Sequence, residues 1–156
     1  MRKFTIEQGS LENLELLAPL FDQYRVYYGQ QSDLRAAYDF LGERLRFNES
    51  VVYLAVEGEG SDKRAAGFTQ LYPSFSSVTI QRLWILNDLF VHEAYRGRGA
   101  GAMLLEAARA YALSTGTKGL SLTTMTDNTV AQRLYTASGY VRDEEFYTYN
   151  LYFSKE

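Results

Sequence analysis

The 156-residue chain has no cysteine, two prolines and one histidine. Without cysteine there is no disulfide, no thiolate zinc site and no thiol nucleophile to carry a group covalently. The single histidine, His92, is a poor basis for a metal site and reads as a turn residue, so no metal is expected. No apolar run approaches the ~18 residues of a membrane span, and the start MRKFTIEQGS lacks a signal-peptide core. A cytoplasmic protein with no membrane partner is expected. The formal net charge of −3 provides no basic surface, which argues against nucleic acid as a partner. No internal repeat, low-complexity tract or linker interrupts the chain. A composition of 46% hydrophobic and 22% charged residues then describes one globular domain across residues 1–156.

Tyrosine and glycine are what the chain does have. Thirteen tyrosines and nine phenylalanines are unusual in number; such residues often line pockets and interfaces, and most of them here read as core. Glycine concentrates in the stretch Leu83 to Ala112, where an apolar strand and a polar turn lead into Arg96-Gly97-Arg98-Gly99-Ala100-Gly101 and then an apolar-periodic helix. Consecutive glycines let backbone approach a ligand, and the first N–H groups of a helix have no intrahelical partner. Those donors and the positive end of the helix dipole favour a phosphate, with Arg96 and Arg98 adding charge. A Walker A loop is excluded because no Gly-Lys-Ser/Thr follows. A dinucleotide fingerprint fits Gly97-x-Gly99-x-x-Ala102 on its face. It fails on context, since His92 to Tyr95 separate strand from glycine and Leu122 to Thr124 stand where an acidic residue should be.

Periodicity places the other elements. Phe4 to Gln8 reads as a strand. Ser10 caps a helix with Leu14, Leu17, Ala18, Phe21 and Tyr28 in helical spacing, kinked at Pro19. Ser32 or Asp33 caps a second helix with Leu34, Ala37, Tyr38, Leu41 and Leu45 on one face. Strands follow at Val51 to Glu57 and Ala65 to Tyr72, then a ladder-breaking loop from Pro73 to Ser77 with Phe75 at its tip, then a strand from Gln81 to Val91. The helix at Gly99 to Ser114, a strand at Leu120 to Thr124, a helix from Asn128 and an alternating strand from Phe146 to Phe153 complete the order β-α-α-β-β-β-α-β-α-β. This is an α/β chain with a mixed sheet covered by helices.

The glycine run resembles the acetyl-CoA motif of the GCN5-related N-acetyltransferase (GNAT) superfamily, Gln/Arg-x-x-Gly-x-Gly/Ala, carried here by Arg96, Gly99 and Gly101. Asn128 follows Gly101 by 27 residues and opens Asn128-x-x-Ala131-x-x-Leu134-Tyr135-x-x-x-Gly139-Tyr140, similar to the family's second motif. Together the motifs span residues 83 to 141. The resemblance implies a GNAT-like fold, a central mixed sheet of six to seven strands splayed at the cofactor site and flanked by about four helices. It implies acetyl-CoA as cosubstrate and an amine as acceptor.

It also implies roles. The diphosphate rests on the backbone N–H groups of Arg98, Gly99, Ala100 and Gly101, with Arg96 and Gly97 beside it. The pantetheine arm lies along Leu89, Phe90 and Val91, with Asn128 and Ala131 beside it and Tyr135 as general acid. Asp88 is similar to the acidic residue of polyamine acetyltransferases that meets a cationic acceptor, either as base or as anchor. Asn87 stands where that group has a second carboxylate, and a water chain is the alternative base. The turn between the first two helices forms an acceptor wall in the family, so Gln23, Tyr24, Arg25 and Tyr28 are candidate contacts, along with Phe75, Asn87 and Asp88. The expected activity is direct transfer to a primary amine, of a small molecule before that of a peptide or protein. The alternatives are a catalytically silent acyl-CoA sensor, which need not keep Tyr135, and an NAD-type binder. The aromatic C-terminal strand offers an edge for a homodimer.

Overall fold

Residues Val51 to Glu57 form strand β2, and Val52, Leu54 and Val56 on one of its faces are all but completely buried. β2 lies inside a five-stranded sheet with β1 (Thr5–Gln8), β3 (Arg64–Ser76), β4 (Gln81–Val91) and β5 (Leu120–Ser121), in the order β1-β2-β3-β4-β5. The first four strands are antiparallel neighbours, and β5 runs parallel to β4. That pattern is not the parallel doubly wound sheet of a dinucleotide-binding domain, which removes the NAD alternative. The computed structural model describes residues 3–154.

Helices cover both faces. On one, α1 (Leu14–Tyr27) and α2 (Leu34–Arg46) pack Leu17, Phe21 and Leu41 onto Val52, Leu54 and Phe68. On the other, α3 (Ala100–Ser114) packs Leu104 over Ala55 and Ala66, and Leu105 and Ala108 over Leu71 and Leu86. α4 (Thr129–Ala137) follows β5 and buries none of its residues completely.

Ser10 caps the 3₁₀ turn Leu11–Asn13 in a reciprocal bond pair with Asn13, and that turn feeds α1. α1 runs through Pro19 as one helix. The donor lost at Pro19 leaves the Glu15 carbonyl on an exposed face, where water can satisfy it. Asp33 caps α2, its carboxylate accepting from Ala36 N at 3.0 Å.

Three expectations fail. β3 continues through Pro73 to Ser76 and pairs with β4 as far as Ser76↔Gln81. Its pairing with β2 ends at Val51↔Leu71, so Pro73 sits on a free edge where a missing N–H costs no ladder bond. Phe75 is therefore a strand residue, two-thirds exposed, with the Arg82 guanidinium 5.4 Å from its ring centroid. Second, β5 is two residues long rather than five. Third, Phe146 to Phe153 forms no strand, so the sheet has five strands and not six or seven; every described residue from Val141 to Ser154 is exposed. The period-2 pattern is local, and among the described residues the segment has no neighbouring strand to ladder with.

Candidate active site

The sheet opens between β4 and β5. They pair only at Trp84↔Leu120 and Ile85↔Ser121, while β4 continues to Val91, so from Leu86 onward its edge toward β5 carries no ladder. The lone tryptophan, Trp84, sits at the last closed rungs, its indole N–H donating to Thr115 Oγ1 at 3.0 Å. A bulge at Asn87 lets Gln70 pair with Asp88 and Leu71 with Leu86. One extra residue turns Asn87 outward and brings both Leu86 and Leu89 to the α3 face. Asp88 and Phe90 face α1.

Beyond Val91 the chain makes a 3₁₀ turn, Glu93–Tyr95, capped by His92, whose Nδ1 accepts from Ala94 N at 3.0 Å. His92 thus has a structural task. Gly97 and Gly99 follow with φ of 76° and 85°, left-handed values that suit glycine, and no atom lies within 4 Å of where a Cβ would stand on either. Gly99 is the N-cap of α3 and has no side chain with which to cap it, and the first turn carries no acidic residue. The opening N–H groups of α3 and its dipole therefore face an open loop without internal compensation. Gly101 has a packing role: a Cβ there would meet Leu134 Cδ2 of α4 at 3.2 Å.

The two arginines do not point where the sequence suggests. Arg98 bonds Glu57 at 2.7 Å and lies over the Phe4 ring at 4.3 Å, so its side chain is turned toward β1 and β2, leaving its backbone for a ligand. Arg96 donates from Nε to the Val91 carbonyl at 2.9 Å and rests near the Tyr27 and Phe90 rings.

On the α1 side lies a polar cluster. Asp88 is buried, and its carboxylate accepts from Tyr24 Oη at 2.7 Å, Gln70 Nε2 at 2.7 Å and Asn87 Nδ2 at 3.1 Å. Thr69 Oγ1 donates to the Asp88 carbonyl. Burial first, and then the Asp88 charge, push the Tyr24 hydroxyl well above the ordinary tyrosine value, and the same two causes raise Tyr72 to about 12. Tyr28, edge-on to Tyr24 at 5.1 Å, is also raised, by burial, then Tyr27, then Asp88. Of the candidate acceptor contacts, Tyr24, Tyr28, Asn87 and Asp88 therefore come together. Arg25 does not: it turns to Asp22 and the Gln31 carbonyl and helps fix the turn between α1 and α2. Gln23 is exposed, and Phe75 stays on the hairpin. Gln70 and Tyr72 were missed in sequence. The one visible signal was a glutamine in the otherwise apolar row Phe68, Gln70, Tyr72, and it looked like ordinary strand alternation.

Across the splay stands α4. Asn128 caps it, Oδ1 accepting from Ala131 N at 3.2 Å. Two turns on, Tyr135 is half-buried, 5.9 Å from the Tyr140 ring. Burial, and then the Tyr28 hydroxyl, raise its pKa, so it holds its proton throughout the neutral range.

This arrangement has counterparts. Residues 14–140 match the acetyltransferase (GNAT) family. The "Uncharacterized N-acetyltransferase YhfO" of Bacillus subtilis is 47% identical over 146 residues, 94% of this chain and 95% of that protein. A probable acetyltransferase of Haemophilus influenzae is 39% identical over 109 residues, 70% of each chain. Among solved structures, a probable acetyltransferase with 45% identity superimposes at a TM-score of 0.90 over 97% of this chain and 99% of that one. The aminoglycoside N-acetyltransferase AAC(6')-Iy in complex with CoA shares the fold at 22% identity and a TM-score of 0.76, over 97% and 96% of the two chains.

Proposed function

Because this chain belongs to the GNAT acetyltransferase family and is an N-acetyltransferase, we propose that it moves an acetyl group directly from acetyl-CoA to the primary amine of a small cationic molecule, within a ternary complex. The observation that carries this reading is the splay itself: an unladdered β4 edge with a left-handed glycine loop and bare helix start at one end, and an aromatic, carboxylate-bearing cluster beside it.

The residues fit the cosubstrate. The backbone of Arg98, Gly99, Ala100 and Gly101 offers donors to a diphosphate, and the open edge of Leu89, Phe90 and Val91 offers strand-like partners to the amides of the pantetheine arm. Arg96, Gly97, Asn128 and Ala131 border that path. When bound, acetyl-CoA supplies a thioester carbonyl open to a neutral amine. An alkylamine has a pKa of about 10.4, so fewer than about one in a thousand molecules is neutral at pH 7. The Asp88 carboxylate is already engaged by three side chains, the Tyr24 hydroxyl and the amides of Gln70 and Asn87. It serves better as the charge that holds the cation than as the group that takes its proton. A water chain along the tyrosines accepts that proton, and the Tyr135 hydroxyl donates one to the departing sulfur. With no cysteine, no acetyl-thioenzyme forms on this chain.

The test is thiol release from acetyl-CoA across a panel of primary amines, alongside calorimetry with CoA. Amine-stimulated release with CoA binding supports the proposal. Binding without release from any amine would favour a sensor, and no binding would end it.

A further inference from the structure

Between the 3₁₀ turn and α3 the backbone has little of its own to hold it. The turn closes with the Arg96 N–H bonded to the Glu93 carbonyl, and α3 opens with the Met103 N–H bonded to the Gly99 carbonyl. Within that span, among the described residues, the N–H groups of Gly97 and Gly99 donate no hydrogen bond. Both glycines are left-handed, with open space where a Cβ would stand, so no packing restrains them. Glycine loses more backbone freedom on ordering than any other residue. A loop of this composition drifts among conformations unless something outside it fixes it, and a drifting loop binds weakly because the ligand must do the ordering.

Arg98, between the two glycines, is that fixture. Its guanidinium bonds Glu57 Oε1 at 2.7 Å and lies 4.3 Å from the centroid of the Phe4 ring and 5.9 Å from that of Tyr95. The side chains of the ion pair are 17% and 18% exposed, so the pair is less screened than one on the surface. Glu57 closes β2, where it pairs with Arg64 of β3, and Phe4 packs in one cluster with Ala55, Ala66 and the α3 residues Ala100 and Leu104. The anchor points thus belong to the sheet and the core rather than to the loop. A cation in a phosphate loop is expected to face the phosphate. This one is turned to the sheet, and what it holds is the backbone whose N–H groups remain for the anion.

We infer that Glu57 is a positioning residue for the cosubstrate: through Arg98 it keeps Gly97 and Gly99 in their left-handed, donor-exposed form before coenzyme A arrives, and so sets the affinity for a molecule it does not touch. The inference rests on the acetyl-CoA reading of this loop. Apparent affinity is reduced by the fraction of time a site spends in its competent form, so a loop that is receptive about a tenth of the time binds about tenfold more weakly. Once the cosubstrate is seated, transfer at the thioester proceeds as before.

Glu57→Gln is nearly isosteric, and it separates position from charge because the two predict opposite signs. If the pair acted through charge alone, CoA would bind more tightly, since the carboxylate that offsets Arg98 is gone. Acting through position, the variant binds CoA about tenfold more weakly by calorimetry, with the KM for acetyl-CoA raised to match and kcat within about twofold of the parent. In an Arg98→Gln background the same change has no further effect, because the contact it removes is already absent. The ligand-free protein supplies a second readout by ¹⁵N relaxation: the order parameters of the Gly97 and Gly99 amides are about 0.85 in the parent and fall below about 0.6 in Glu57→Gln. A Glu57→Gln protein that binds CoA as tightly as the parent or more so, or whose two glycine amides stay equally ordered, would overturn the inference. The relaxation measurement needs no CoA, so a parent chain that ignores CoA would sink the proposed function while the order of the loop is still judged by its own readout.

Discussion

Tyr135 is half-buried and Asp88 buried, and they differ in how their partners leave them. Tyr135 has its proton and no acceptor that holds it among the described contacts, so it is available as a donor. Tyr135→Phe is expected to lower kcat by about 10²-fold or more while leaving the KM for acetyl-CoA within a few-fold, measured by steady-state thiol release. Asp88 is acceptor-only and meets three donors. Asp88→Asn turns an NH₂ group toward one of them and removes the charge. It is expected to cost about 1–3 kcal/mol in denaturant unfolding, and to raise the KM for the amine much more than that for acetyl-CoA. An Asp88→Asn enzyme with unchanged amine KM would remove the anchoring role. Gln70 explains why part of this cluster is hidden from the sequence. Its position in the α1-facing row is legible, but that its amide would point at Asp88 depends on the bulge at Asn87, which no local pattern announces.

At the level of elements, α3 and its glycine loop are the part the sequence states most plainly. Gly99 must be left-handed, the helix must start bare, and both follow from residue types. Gly99→Ala forces a Cβ into φ of 85°, a strain of roughly 1–2 kcal/mol. The expected outcome is a lower melting temperature together with weaker CoA binding by calorimetry. The capped helices and β2 and β4 were equally readable, because apolar periodicity and cap residues are local. The hairpin arm was not. Pro73 marks a ladder break only if both edges of β3 are occupied, and whether β2 reaches that far is a tertiary fact. Arg98 likewise reads as a phosphate contact by its neighbours in sequence, but Glu57, 41 residues away, takes its side chain. The C-terminal segment reads as a strand by its alternation, and it forms none, because alternation is local whereas a strand also needs a neighbour to ladder with, which residues 146–153 do not have among the described residues.

For the whole molecule, acid and alkali act on different groups. Asp22 has its pKa lowered by the Ser32 hydroxyl first, then by the Asp33 N–H, with Arg25 contributing. A lowered carboxylate stabilises the fold above its ordinary value of 3.8 and loses that contribution as pH falls through the lowered value. Tyr72 and Tyr140 are raised to about 12 by burial, so their contribution is complete below the ordinary value of 10.0 and is lost as pH rises through about 12. Denaturant midpoints are expected to be flat from about pH 5 to about pH 9 and to fall on both sides. Asp22→Asn should lower the plateau and flatten the acid limb, leaving the alkaline limb in place; an unchanged acid limb would assign it to other carboxylates.

The position of Trp84 makes the protein its own optical sensor. A sole indole, held by Thr115 where β4 and β5 part company, emits from the hinge of the fork and from nowhere else. Titrating CoA while recording intrinsic fluorescence should shift the emission maximum as the prongs adjust, and Thr115→Val, by freeing the ring, should blunt that response without any dye being attached.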